Sequence, residues 1–255
     1  MSFLKKYLAV LVFLLLWEFL SRAAVVNPVF FPPLSEILQT IFRMLETGEM
    51  ERHAGISLWR ALSGFSLAVL VGAPLGLFLG SRPGSVRRIF DVPLELFSQL
   101  NPFLLFHILI LFMGIGEAPK VTLVFFTCLW PVAFSSMSGA QSVNPLLVKS
   151  GRAFGLKGFA LFRKIIFPAA SPFIFLGLQM GIFYSLFMLI AAEMMGASSG
   201  LGFLSMNSQE TFQLKKMYAA VLVIAFLGLL LDFLVSLLGK AFLPPVEGVL
   251  SRAEN

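Results

Sequence analysis

The chain has 255 residues, 58% of them hydrophobic and 13% charged, with a net charge of +6. That charge content is about half that of a soluble chain, which excludes a solvated globular domain and indicates a polytopic membrane protein. In such a chain the basic excess is an orientation signal rather than a nucleic-acid footprint.

Residues 1–24 begin with Lys5 and Lys6 and continue as an apolar stretch. They resemble a signal peptide, but no small-residue cleavage site follows closely and Glu18 interrupts the end. A retained first span over 7–25 is therefore expected. Next, Pro32-Pro33-Leu34-Ser35 opens an amphipathic helix over 33–57 carrying Glu36, Arg43, Glu46, Glu49, Glu51 and Arg52. It is predicted to lie at a surface rather than to span. Crossing the hydrocarbon core takes about 20 apolar residues. Uncharged runs at 61–81, 96–116, 121–148 and 165–192 supply them, as does 217–238 with Asp232 near one end. The expected spans are 7–25, 58–80, 95–115, 121–140, 170–193 and 217–239. The fold expected is all-α and integral to the membrane, with six transmembrane helices in one domain over 1–255.

Several positions inside these spans stand out. Gly72, Gly76 and Gly80 recur every fourth residue, which lets helices approach closely. Cys128 lies in an apolar run and reads as a small packing hydrophobe. Asn101-Pro102 predicts a kink beside a cavity, because proline removes a helix hydrogen bond. His107 lies up to two turns further on, either donating to an oxyanion in a path or satisfied in the core. Glu193 ends the 165–192 run and precedes a small, flexible stretch containing Ser198, Ser199 and Gly200. Two readings of it stand. Glu193 with Ser198 and Ser199 lines the solute path or an outer gate, or Glu193 is a helix-end carboxylate held by a partner within the fold.

The loop at 144–168 is basic and amphipathic and separates two uncharged runs. Asn144 is placed to cap a helix starting at Pro145, and Gly155 to close it in the left-handed conformation. A second short helix is expected from about Gly158 to Pro168. Two capped helices in a charged loop of a membrane protein offer a surface to a soluble partner. With the N-terminus inside, twelve of the 19 Lys and Arg residues fall on the inner side, the 144–168 loop among them.

The loop resembles the cytoplasmic loop of ABC-importer permeases, whose pattern is Glu-Ala-Ala, three residues, Gly, nine residues, Ile, one residue, Leu-Pro. Gly155, Ile165 and Pro168 sit at that spacing. Phe167 replaces the Leu, and Lys149-Ser150-Gly151 stands in place of Glu-Ala-Ala. The segment 102–120, ending Met-Gly-Ile-Gly-Glu-Ala-Pro-Lys, and Ala-Glu-Met-Met-Gly-Ala-Ser-Ser-Gly-Leu-Gly at 192–202 are similar to the nitrate/sulfonate/taurine branch of that family. So is Leu229-Leu230-Leu231-Asp232. The resemblance covers about residues 30–240.

The resemblance implies a type I importer permease fold with a cytoplasmic coupling helix. The coupling residues would be Lys149, Ser150, Gly151, Arg152, Ala153, Phe154, Gly155, Leu156 and Pro168, docking on an ATPase. The pathway or gate candidates are Glu193, Ser198, Ser199, Asn101 and His107. The partners implied are two ATPase subunits, a second permease copy, an extracytoplasmic solute-binding protein and membrane lipid. The location implied is the bacterial inner membrane, multi-pass, with the N-terminus cytoplasmic. The solute implied is a small oxyanion such as nitrate, a sulfonate, taurine or bicarbonate. The alternatives are a vitamin-type heterocycle such as a pyrimidine precursor, or an ion-coupled secondary transporter. The sequence carries no phosphate-binding loop, zinc motif or cysteine cluster. The chain is thus expected to be no enzyme and to hold no cofactor or metal, with ATP and Mg used by the partner ATPase.

Overall fold

The computed structural model describes residues 2–23, 27, 29–82 and 84–242, and every regular element among them is helical. The order is α1 (Ser2–Arg22), α2 (Leu34–Glu46), α3 (Glu49–Gly80), α4 (Gly84–Ser98), α5 (Pro102–Met113) and α6 (Glu117–Gln141). It continues with α7 (Pro145–Ala153), α8 (Gly158–Leu161), a π-helical turn (Phe162–Ile166), α9 (Phe167–Gly196), α10 (Leu201–Glu210) and α11 (Leu214–Phe242). The chain packs as two units. The first holds Met1–Ser57 with Glu193–Leu227, and the second holds Leu58–Ala192 with Gly228–Asn255.

Four described stretches are long and apolar enough to cross a membrane: Glu49–Gly80, Glu117–Gln141, Gly158–Gly196 and Leu214–Gly239. The pair Arg87–Ser98 and Pro102–Met113, bent by 84°, makes a fifth if it is counted as one span. The sixth expected span, 7–25, falls on α1, which is not among these stretches, and its residues 24 and 25 lie outside the described residues.

Three local expectations are corrected. The helix expected over 33–57 is two helices. Gly48 takes a φ of 72°, in the left-handed region, and separates α2 from α3. Residues 49–57 then belong to α3, whose first turn carries Glu49 and Glu51 where the helix dipole favours anions. The 95–115 span is broken rather than kinked. Pro102 disfavours the helical region for its predecessor, so Asn101 is extended at φ −67° and ψ 118° and starts a new helix. The second helix of the loop does not stop at Pro168. The turn Phe162–Ile166 widens to π geometry, with the Phe167 N–H donating to the Phe162 carbonyl, and the helix continues to Gly196. A wider turn just before a proline relieves the clash between its ring and the preceding carbonyls.

Inside the first unit, Glu18 of α1 accepts from the Ser35 N–H at 3.1 Å and from Ser35 Oγ at 2.8 Å, at the start of α2. Trp17 donates to the Pro32 carbonyl and stacks on Phe31, with ring centroids 5.1 Å apart. The charges that interrupt the end of α1 therefore hold the entry to α2. Lys215–Glu36 and Lys216–Glu49 pairs tie the start of α11 to α2 and α3.

Inside the second unit, α3 lies against α6 through its glycines. A Cβ at Gly72 would stand 3.0 Å from the Leu129 carbonyl oxygen, and one at Gly80 would stand 2.5 Å from that of Met137. Leu77, Ala140, Ala170 and Ile174 form one buried cluster, and Phe106, Leu123 and Ala192 another.

Candidate functional site

The loop after α6 is set by local chemistry. Asn144 Oδ1 accepts from the Leu146 N–H at 2.9 Å, and Pro145 takes the first helical position, where no N–H is needed. At the other end, Gly155 has a φ of 82°, and the Leu156 N–H donates back to the Gly151 carbonyl at 2.9 Å, a six-to-one closing bond. Gly151 is buried, because a side chain there would collide with Ile165 and Leu161. The helix α7 thus rests on the α8 and π segment through Gly151. Lys149, Ser150, Arg152, Ala153 and Pro168 are exposed and Leu156 is half-buried. The apolar side chains Leu146, Phe154 and Phe159 are 66%, 88% and 74% exposed. Apolar groups presented on a polar loop mark a contact surface.

Because open space surrounds the Cβ position at Gly155, any penalty for a side chain there is conformational alone. Gly155→Val is expected to leave membrane insertion unchanged and to lower solute-stimulated ATP hydrolysis at least threefold, because a β-branched residue resists positive φ. Unchanged stimulation in that variant, measured on the assembled importer, would contradict a docking role for α7.

Glu193 lies in a polar knot of the first unit and is only 1% exposed. Ser57 Oγ is 2.9 and 2.8 Å from its two carboxylate oxygens, and the Gly202 N–H donates to Oε2 at 3.0 Å. Ser57 Oγ in turn accepts from the Leu201 N–H at 2.8 Å, and His53 Nδ1 accepts from the Gly200 N–H at 3.0 Å. Gly200 has a φ of 113°, and a Cβ there would run into the Glu193 carboxylate. The turn through Ser198 and Ser199 is thereby anchored at Gly200–Gly202. Ser198 itself is exposed and Ser199 half-buried. This geometry supports the reading in which the acid is held within the fold.

The other pathway candidates, Asn101 and His107, belong to the second unit. Asn101 is exposed and caps α5 by accepting from the Phe103 N–H at 2.9 Å. His107 is exposed, with Nδ1 2.8 Å from the Phe103 carbonyl oxygen. The break between α4 and α5 does border a cavity of about 330 Å³, whose lining includes Ser98, Pro102, Phe126, Trp130, Tyr184 and Met188. The Trp130 Nε1 is buried without a hydrogen-bond partner among the described residues.

Sequence reasoning missed a charge cluster in the second unit, two buried cations on one exposed carboxylate. Arg60, 1% exposed, grips Glu117 through Nε–Oε2 and through Nη2–Oε1 at 2.6 Å. The buried Lys120 Nζ stands 3.7 Å from Glu117 Oε1. Arg60 borders the uncharged run 61–81, and that position was its only signal. Arginine suits such sites because its fork matches a carboxylate in two places.

Broken and continuous apolar helices joined by a capped, basic loop define a polytopic membrane protein. The sequence model of the family described as "Binding-protein-dependent transport system inner membrane component" matches residues 72–245, and the chain belongs to that family. It is 30% identical over 226 residues to the taurine transport system permease protein TauC of Escherichia coli (strain K12), covering 87% of this chain and 82% of that one. It is 32% identical over 228 residues to the putative aliphatic sulfonates transport permease protein SsuC of the same organism, with coverage of 89% and 86%. With the nitrate import permease protein NrtB of Synechocystis sp. it shares 26% over 245 residues, covering 92% and 88%. Among solved structures, the inward-facing MetNI methionine ABC transporter superposes with a TM-score of 0.67 at 17% identity, covering 74% of this chain and 93% of that one. The fold is that of type I ABC-importer permeases. The chain is therefore a multi-pass inner-membrane permease subunit of an ABC importer. It is not itself catalytic: ATP hydrolysis resides in a separate subunit, and the importer has ATPase and binding-protein partners.

Proposed function

We propose that two copies of this chain form the pathway of an importer for a small organic or inorganic oxyanion. The class is that of taurine, alkanesulfonates, nitrate and bicarbonate. The observation that carries this reading is the similarity, across most of both chains, to permeases named for taurine, aliphatic sulfonates and nitrate. The excess of Lys and Arg on the side of the 144–168 loop supports a cytoplasmic N-terminus and a cytoplasmic loop. In this reading α7, with its flanking residues 149–156, seats on the ATPase, and ATP and Mg stay with that partner. Closure of the ATPase pair on ATP draws the two α7 helices together and favours the outward-open state. Solute-loaded binding protein biases the same equilibrium by binding one state more tightly. Glu193 holds the turn at Gly200–Gly202 in the outer part of each chain.

A second reading rests on the cavity at the α4–α5 break, whose lining is mostly aromatic and apolar, with the hydroxyl residues Ser98 and Thr127 and no charged side chain. Stacking surfaces and a donor-only indole favour a planar heterocycle with a hydrogen-bond acceptor. The deciding experiment is ATP-dependent uptake into proteoliposomes holding the chain, its ATPase and its binding protein. Radiolabelled taurine, an alkanesulfonate and isotopic nitrate are offered in turn. Uptake of at least one of them, abolished without ATP, is expected. Failure of all three, with ATP hydrolysis stimulated by a pyrimidine-type heterocycle, would replace the first reading by the second.

A further inference from the structure

In the second unit, the ends of α3, α4 and α6 and the 144–168 loop border a cavity of about 300 Å³, of whose lining only Arg152 and the neighbouring loop residues enter the docking reading above. Its lining brings together Arg87 of α4, Arg152 of α7 and Gln141 at the end of α6, over an apolar floor that includes Ala140, Val148 and Leu161. Arg87 Nε stands 3.4 Å from Asp91 Oδ2, a long contact that engages one of the five N–H donors of its guanidinium. Arg152 is exposed and takes part in no ion pair among the described residues. Ser81 also borders the cavity, but its hydroxyl already donates to the Leu77 carbonyl at 2.6 Å. Two arginines from different helices and a glutamine from a third therefore line one small space.

Like charges lining one cavity repel, and a shared anion removes that repulsion. The guanidinium fork matches an oxyanion in two places, and an amide N–H adds a second kind of donor. A water occupies about 30 Å³ of liquid, so the volume admits a tetrahedral oxyanion together with several waters. We propose that this cavity is an oxyanion site in which one sulfate- or phosphate-like group bridges Arg87 and Arg152, with Gln141 as a further donor. Because Arg152 lies on α7 and Arg87 on α4, the bound anion fastens the loop to the spans. The site is independent of which solute the importer carries. Its occupant is either a free oxyanion or the phosphate of a lipid headgroup, since both present the same acceptors.

The test uses the assembled importer in nanodiscs, with [35S]sulfate as probe. In neutral phosphatidylcholine, saturable binding is expected that weakens at least tenfold in Arg87→Gln and in Arg152→Gln. Arg43→Gln, on α2, should bind as the parent does. Arg87→Lys should recover part of the loss, and Gln141→Leu reads the same site should an arginine variant fail to fold. Replacing part of the lipid by phosphatidylglycerol separates the two sources. Loss of sulfate binding there, with phosphatidylglycerol retained by the parent and released from Arg87→Gln on delipidation, identifies the headgroup. Unchanged sulfate binding identifies the free anion. Sulfate binding that survives all three cavity variants would overturn the proposal. So would the absence of saturable binding in phosphatidylcholine together with phosphatidylglycerol retention indifferent to Arg87.

Discussion

Gly76→Leu is expected to abolish recovery of a folded, monodisperse protein. Gly76 lies where α3 crosses α6, and an added Cβ would run into the Ala133 carbonyl oxygen and stand 2.8 Å from Ser136 Cβ. The obstruction is largely backbone, so rotating a side chain cannot clear it. Overpacking a core typically costs 1–3 kcal/mol, and a backbone collision at a helix crossing belongs at or beyond the upper end, about 3 kcal/mol or more. In a bilayer, association of helices depends on such close packing, because lipid offers no hydrophobic drive between them. Gly76→Ala should fall between the parent and Gly76→Leu. Gly55→Leu, on an exposed stretch of α3 with nothing within 4 Å, should behave as the parent. Size-exclusion profiles and melting temperatures of the three variants check this, and a parent-like Gly76→Leu would show that α3 and α6 do not meet there.

The second large effect is expected at Glu193. In Glu193→Ala, Ser57 Oγ and the Gly202 N–H lose their acceptor inside a buried knot. Each buried donor left unpaired costs about 1–3 kcal/mol, and more when the lost acceptor was charged, so about 3 kcal/mol in total is expected. For a chain of this size that is roughly a 6–12 °C fall in melting temperature. Glu193→Gln keeps one acceptor oxygen but turns an NH2 group towards existing donors, so its loss should be smaller. Gly200→Ala should match Glu193→Ala, because both its φ of 113° and the carboxylate oppose a side chain. If Glu193→Gln instead keeps the parent melting temperature while uptake or anion selectivity changes, the acid serves the gate rather than the fold.

What could be read along the chain was what short-range chemistry decides. Asn144, Pro145 and Gly155 specify α7 because a cap, a missing N–H and a left-handed residue each act within one turn. The glycines at 72, 76 and 80 were legible as a packing stripe because their spacing is the helix repeat itself. Asn101-Pro102 announced a disruption, but its 84° bend depends on where α4 and α5 pack, which two residues cannot encode. Gly48 was hidden by amphipathic periodicity that runs on through the break. Pro168 pointed to a helix end only because a π turn is not visible as a local pattern. The Glu193 knot joins Ser57 to a residue 136 positions away, and nothing near either one names the other. Arg60 and Lys120 read as the edges of apolar runs, although both are buried beside Glu117.

In the proposed function, transport is driven by a separate ATPase on which the capped loop seats. The most direct measurement is ATP hydrolysis by the reconstituted importer, with and without solute-loaded binding protein, for the parent and for a variant in which residues 145–154 are replaced by a Gly-Ser linker of equal length. The parent is expected to retain the ATPase through purification and to hydrolyse ATP faster with loaded binding protein. The linker variant is expected to reach the membrane normally, lose the ATPase on purification and show no stimulation. A linker variant that keeps both the ATPase and the stimulation would contradict the account.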